Sequence, residues 1–357
     1  MRMSLLYTYL KILRKDKHTI LKKNIIGPMT ATLFAASSPN PGRMRPLNMM
    51  RDLPSVADLI ELCFSSTLDP EGRSYIDQMR RNGRDSSFLS WAPRVIETVS
   101  LPLSGFVWEN NGRVVGNVSL IPFVKHGQKI FLIANVATHP EYRRQGIARQ
   151  LTAAAMARAR EKHAQSIWLH VRDDNPGAIK LYHELGFVER SRRTNWYASS
   201  GTTPLGNLRS NIQVAPRTTR DWPLQSAWLA RAYPASLDWY NTQNWGIFKP
   251  GLINALYRLM TDISTVQWSA QRSGKLLGVL ACQRSLGRTD QLWAALPEQP
   301  EPDAMTSLLL HGRRLLSQSR SLTLEYPSGP LDEAIRAAGL IPQRTLAWME
   351  APGNATF

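Results

Sequence analysis

The sequence predicts an α/β (α+β) fold built twice, as two similar halves of one chain, and three observations predict it. An apolar strand, Ile130 to Ala137, gives way through a basic turn to an Ala-rich helix that begins near Gly146. From Ser166 to Val171 apolar and polar residues alternate as on a strand, with Ile167, Leu169 and Val171 on one face and Trp168, His170 and Arg172 on the other. Beyond residue 210 fragments of the same order return. At 357 residues the chain exceeds one average domain, and its 43% hydrophobic content is enough for two cores.

Residues 1–43 read as a disordered basic extension. Residues 1–51 hold ten Lys or Arg against one acid, Asp16, which is about half of the net charge of +17. The run Leu5-Leu6-Tyr7-Thr8-Tyr9-Leu10-Lys11-Ile12-Leu13 is too short to span a bilayer, which takes about 20 residues. Its basic cluster follows the apolar run, the reverse of a secretory signal. No transmembrane segment is expected, and any contact with nucleic acid is expected only through this arm. Met44 to Met50 is a short strand, and Asp52 caps the next helix, with Pro54 near its first turn and Val56, Leu59, Ile60, Cys63 and Phe64 on one face. Asp69 to Arg84 is polar and helical. Gly105–Trp108 and Val114–Leu120 flank Asn110-Asn111-Gly112, a strong hairpin turn signal. The helix after the basic turn carries Ile147, Leu151 and Ala154 at helical spacing. After the strand at 166–171, Asn175 caps a helix, Pro176 takes its first position and Gly186 ends it in a left-handed cap. This closes a first unit, 44–197, followed by a linker of small residues, 198–210.

Residues 211–352 make a second, degenerate unit. Trp268 through Gly274-Lys275-Leu276-Leu277-Gly278 echoes Trp108 through Gly112-Arg113-Val114-Val115-Gly116. Ser321-Leu322-Thr323-Leu324-Glu325 echoes Ser166 to His170, and Ala338-Gly339-Leu340 matches Leu185-Gly186-Phe187. Where the first unit has its basic turn, the second has Leu296 to Asp303, whose carboxylates repel anions and whose prolines remove amide donors.

The turn Arg143-Arg144-Gln145-Gly146-Ile147-Ala148 is an anion receptor. The first amides of a helix have no intrahelical partner and carry the positive end of its dipole. Small residues at 146 and 148 let a pyrophosphate approach, and Arg143, Arg144 and Arg149 add charge around the rim. A dinucleotide site would need G-x-G-x-x-G and a P-loop G-x-x-x-x-G-K-[ST], and neither is present. Only Cys63 and Cys282 are available, so there is no disulfide framework and no cluster with metal-ligand spacing, which suits a reducing cytoplasm.

The spacing R-x-x-G-x-A, with Asn135 to Tyr142 before it and Asn175 to Phe187 after it, resembles the acetyl-CoA-binding signature of the GCN5-related N-acetyltransferase (GNAT) superfamily. The resemblance implies tandem GNAT folds, each a mixed, mostly antiparallel twisted sheet flanked by helices. It implies acetyl-CoA as co-substrate and no metal. Backbone groups of Val136, Ala137 and Thr138 correspond to those that pair with the pantetheine arm at a splay between two strands. The amides from Arg144 through Gln145, Gly146, Ile147 and Ala148 to Arg149 take the pyrophosphate, Arg143 stands at their rim, and Asn175 both caps its helix and bonds the cofactor.

Acetyl transfer to an amine needs an unprotonated amine, stabilisation of an oxyanion and a proton for the departing thiolate. By position in the family Tyr182 is the candidate acid, although it also falls on the apolar stripe Ala178, Leu181, Tyr182 and Leu185. Trp168 to Tyr197 is most similar to bacterial enzymes that acetylate the N-terminal alanine of a ribosomal protein, with one departure. Those enzymes have a glutamate base where this chain has His170, which either acts through a water or simply lies on a solvated strand face. His139 and Glu141 are further candidates for the base. The implied activity is direct attack in a ternary complex, with a protein N-terminus or a small-molecule amine as acceptor. The alternative is a non-catalytic acetyl-CoA sensor or a basic RNA- or ribosome-binding adaptor on the same scaffold.

Overall fold

A computed structural model describes residues 42–65, 68, 70–83, 104–202, 211–240, 244–261, 263–285, 287–316 and 320–353. The basic extension up to residue 41, part of the linker (203–210) and the stretch 84–103 lie outside the described residues. The first half runs β1 (Arg43–Pro46), α1 (Met49–Phe64), α2 (Pro70–Asn82), β2 (Ser104–Asn110), β3 (Arg113–Lys125), β4 (Gln128–Thr138), α3 (Ile147–Glu161), β5 (Ser166–Arg172), α4 (Pro176–Glu184) and β6 (Val188–Ala198). The second runs β7 (Gln213–Pro216), α5 (Trp222–Ala232), α6 (Leu252–Met260), β8 (Thr265–Arg272), β9 (Lys275–Gln283), β10 (Thr289–Ala295), α7 (Pro302–Leu316), β11 (Ser321–Pro327), α8 (Asp332–Ala337) and β12 (Ile341–Pro352).

The halves repeat each other as the sequence echoes predict. Asn111 and Gly112 take φ of 49° and 77° between β2 and β3, and Ser273 and Gly274 take 49° and 78° between β8 and β9. Two successive left-handed residues make the tight hairpin whose twist matches its strands. Likewise β4 pairs in parallel with β5 from Ile130↔Ser166 to Ile133↔Leu169, and β10 with β11 from Thr289↔Ser321 to Leu292↔Leu324.

One continuous sheet joins the two halves, in the order β1-β2-β3-β4-β5-β12-β6-β11-β10-β9-β8-β7. The last strand of each half is exchanged. β12 lies between β5 and β6, with Trp348 opposite both His170 and Ser191, while β6 lies between β12 and β11, with Asn195 opposite Glu325. The divide at 197/198 therefore ends a strand that hydrogen-bonds into the second half's sheet. Arg193 on β6 shows how a charged residue sits there: it is 3% exposed, donates to Glu325 Oε1 at 2.6 Å and to the Ala232 carbonyl at 2.7 Å, and lies over the Tyr233 ring.

Helices α3 and α4 cover one face of the first half's sheet, over Val118, Leu120, Phe131, Ile133, Ile167 and Leu169. Helices α1 and α2 cover part of the other face, over Val107, Val114 and Ala137. The N-terminal boundary differs from the sequence expectation. The first strand ends at Pro46, and Asn48 rather than Asp52 caps α1, its side chain accepting from the Met50 and Arg51 amides. Asp52 is instead buried under Arg45, whose guanidinium meets it at 2.6 and 2.8 Å, and it takes the Asn48 amide at 2.8 Å. An Asn one turn earlier can cap equally well, so a helix-start pattern does not choose between the two residues.

Candidate functional site

The basic turn has the geometry of an anion nest. Arg144 and Gly146 adopt φ of 64° and 78°, and Gly146 is the N-cap of α3. A Cβ at Gly146 would meet only the Gln150 amide nitrogen, 3.8 Å away, so the glycine is required by its left-handed backbone and not by crowding. Among the described residues, none of the six amide N–H groups from Arg144 to Arg149 donates a hydrogen bond within the protein. Six consecutive unpaired donors, capped by a helix dipole, suit a diphosphate. Ile147 anchors the turn by burying its side chain, and Thr152 ties to the Ala148 carbonyl at 2.8 Å. Of the three expected rim charges, Arg144 stands exposed, Arg143 bonds the Thr138 carbonyl through Nε at 3.3 Å, and Arg149 is paired with Glu184 of α4.

The turn sits where β4 parts from β5. A register shift in β3–β4 sets Asn135 and Val136 against the single residue Val118, and Asn135 takes the left-handed φ of 52°. Side chains pin this bulge: Asn117 Nδ2 donates to the Asn135 carbonyl at 2.9 Å, and Asn135 Nδ2 donates to Tyr75 Oη at 3.0 Å and Ser119 Oγ at 3.2 Å. A bulge bends its strand. The parallel ladder ends at Ile133↔Leu169, so Val136, Ala137 and Thr138 have no β5 partner among the described residues. Both crossover helices start at this carboxyl end of the strands, the place where open α/β sheets bind ligands. Asn175 caps α4 through its side chain, which accepts the Ala178 amide at 3.1 Å.

The two candidate catalytic side chains lie on opposite faces of the sheet. Tyr182 is buried in the α3/α4 core, edge-on to Phe187 at 6.1 Å. Burial raises its pKa above the usual phenol value, so the hydroxyl keeps its proton. His170 follows Leu169 on the strand and so points the other way, where the second half covers it. Its ring lies 4.9 Å from Trp348 and 6.4 Å from Tyr240, beside the larger cluster of Phe123, Trp168 and Trp239. Burial first, then the charge of Arg344, pushes its pKa down to about 4, leaving a neutral imidazole at pH 7. His139, by contrast, contacts Arg113 Nη2 through Nε2 at 2.9 Å and accepts the Glu141 amide, holding the end of β4.

His170 carries a stability prediction. Its folded pKa lies below the unfolded value of about 6.5, so the unfolded chain binds the extra proton. Stability is full above pH 6.5 and falls as pH drops towards 4, by up to about 1.4 kcal/mol per pH unit. In urea titrations at pH 7 and 5, His170→Gln is expected to flatten that slope; an unchanged slope would assign it to other groups.

Sequence reasoning did not single out Trp239, Tyr240 and Trp348, nor the Asn117–Asn135–Tyr75 network. An Asn inside an apolar strand was the signal for the bulge, because Asn tolerates the left-handed region.

The chain is similar to several known proteins. The family model described as "Acetyltransferase (GNAT) family" matches residues 57–187. The [Ribosomal protein bS18]-alanine N-acetyltransferase of Escherichia coli is 38% identical over 66 residues, 18% of this chain, and the chain spans 45% of that relative's length. The N-alpha-acetyltransferase 30 of Schizosaccharomyces pombe is 36% identical over 97 residues, covering 27% of this chain and 65% of the relative. Among solved structures, a GCN5-related N-acetyltransferase from Sphaerobacter thermophilus shares the fold at 14% identity, with a TM-score of 0.50 over 90% of this chain and 98% of its own.

Proposed function

Because this chain is a member of the GCN5-related N-acetyltransferase (GNAT) superfamily, we propose that it moves the acetyl group of acetyl-CoA to a primary amine by direct attack, with both substrates bound. The observation that carries this reading is the run of six unpaired amides beside the gap between β4 and β5. Those amides, from Arg144 to Arg149, would hold the pyrophosphate, with the Arg143 and Arg144 guanidinium groups near it. The β4 backbone from Val136 to Thr138 would take the pantetheine arm, and the Asn175 side chain, beyond its cap, would add a contact. When bound, acetyl-CoA supplies the thioester that the amine attacks.

Tyr182 would face the sulfur from the α4 side. A phenol whose pKa is raised by burial stays protonated and can donate a hydrogen bond to the sulfur, releasing its proton only as charge builds on the leaving thiolate. His170 would face the amine from the other side and accept its proton through a water. A base this weak suits an amine that loses its proton easily. An α-amine, with a pKa of about 7.7–8.0, fits that better than a lysine near 10.4. The names of the relatives also point to α-amines, so a polypeptide N-terminus is the first acceptor to test and a small-molecule amine the second. The second half, without a phosphate turn, would serve to wall the acceptor side through Tyr240 and Trp348. We assign the activity to the cytoplasm.

Tyr182→Phe is expected to lower kcat about 10²-fold while the Kd for acetyl-CoA stays within about twofold. Thiol release with alanine-initiated peptides reports the first quantity and calorimetry the second. Unchanged kcat would reduce Tyr182 to a packing residue.

A further inference from the structure

Helix α6, Leu252–Met260, carries an exposed apolar stripe. Leu252, Ile253, Leu256, Leu259 and Met260 fall on one stripe of the helix and are 57–90% exposed. Two of its polar side chains bond to nearby backbone instead of flanking the stripe: Asn254 Nδ2 donates to the Pro250 carbonyl at 3.2 Å, and Arg258 Nη1 to the Ile247 and Lys249 carbonyls at 2.9 and 3.2 Å. Exposed apolar residues scattered singly are ordinary; five on one helix face form a patch that asks for a partner.

We propose that this stripe pairs with the same stripe of a second copy of the chain, the two helices antiparallel about a two-fold axis at Leu256. The spacing of the stripe is the first argument. Residues 252, 253, 256, 259 and 260 are symmetric about 256, so in an antiparallel pair Leu252 meets Met260, Ile253 meets Leu259 and Leu256 meets itself. An interface about a two-fold axis requires such self-complementarity, and a partner of another kind does not. Area is the second. The stripe exposes on the order of 600 Å² per copy, so a pair buries about 1,200 Å², the lower bound of a stable interface. Charge is the third. The stripe carries none that would repel its copy, and Arg258, the basic residue within α6, bonds inward instead of flanking the stripe as it would on a helix lying on an anionic lipid surface.

Sedimentation velocity on the full chain from about 1 to 100 μM tests this. A species of twice the chain mass that dissociates on dilution is expected. Leu256→Glu sets two carboxylates face to face at the axis and is expected to raise the dissociation constant at least 100-fold with the far-UV circular dichroism of the folded chain unchanged. Val124→Glu, at an equally open apolar residue on the far hairpin, should leave the dimer intact. Leu256→Cys should form an intermolecular disulfide under mild oxidation, and Leu224→Cys should not. A wild-type monomer throughout the range, a dimer that survives Leu256→Glu, or a dimer that Leu256→Cys fails to cross-link would each overturn the pairing. So would a monomer whose stripe binds phosphatidylglycerol vesicles or its own residues 1–41, which would identify those as the occupant. Because α6 lies outside the residues assigned to acetyl-CoA, Leu256→Glu should bind acetyl-CoA as the wild type does, so that a loss of pairing and a loss of the acetyl-CoA site are read separately.

Discussion

Gly146→Asp is expected to weaken acetyl-CoA binding by at least 100-fold while the protein stays folded. The φ of 78° at Gly146 is one that Asp tolerates better than most residues, and a Cβ there meets nothing closer than 3.8 Å. The backbone can therefore remain as it is. What changes is charge: a carboxylate placed about 4 Å from a pyrophosphate costs about 4 kcal/mol at an effective dielectric of 20, close to a thousandfold in affinity. Calorimetric titration of acetyl-CoA into wild type and variant measures it directly. Gly112→Asp is the control, since Gly112 has nearly the same φ of 77° but sits in the β2–β3 hairpin. Equal affinity in the Gly146 variant would remove the turn from the binding site and with it the main support for the enzymatic reading.

That this turn could be found from sequence has a local cause. A strand, a glycine needed for φ above zero and an Ala-rich helix are neighbours in the chain, and each leaves its own periodicity or residue type. The same holds for the Asn-Gly hairpin and for Asn175-Pro176 and Gly186 at the ends of α4. The strand exchange leaves no such trace. β6 carries Arg192, Arg193, Thr194 and Asn195, a polar run that reads as an edge strand, yet it lies inside the sheet because Glu325, the Ala232 carbonyl and Tyr233 receive Arg193. Those partners are 39 and 132 residues away for the two hydrogen bonds, beyond the reach of local pattern. His170 shows the same limit. Alternation put it on the face opposite Leu169, correctly, but only the distant Tyr240 and Trp348 make that face a covered one.

Ending the chain at Leu340 is expected to unfold both halves, not merely to trim the second. β12 is bonded along both edges, to β5 from Leu346↔Arg172 to Pro352↔Ser166 and to β6 from Ile341↔Tyr197 to Glu350↔Val188. Its Ala347, Trp348, Met349 and Ala351 are buried. Losing a buried Trp and a buried Met removes about 3–5 and 2–5 kcal/mol even as single truncations, and two unsatisfied strand edges come on top. The whole net stability of a domain is only about 5–15 kcal/mol. Residues 42–202 alone meet the same fate from the other side, because β5 then lacks β12 and β6 lacks both of its neighbours. Thermal melts should therefore show no cooperative transition in either fragment. Residues 1–202 and 203–357 produced together as two chains should recover one, since the exchanged strands hold the halves without the connecting peptide. A fragment 42–202 that melted cooperatively and bound acetyl-CoA like the full chain would refute the exchange as a folding requirement. The strand exchange also orders assembly: Trp348 lies between β5 and β6 against His170, so one covalent chain has to finish its second half before the His170 face of its first half is covered.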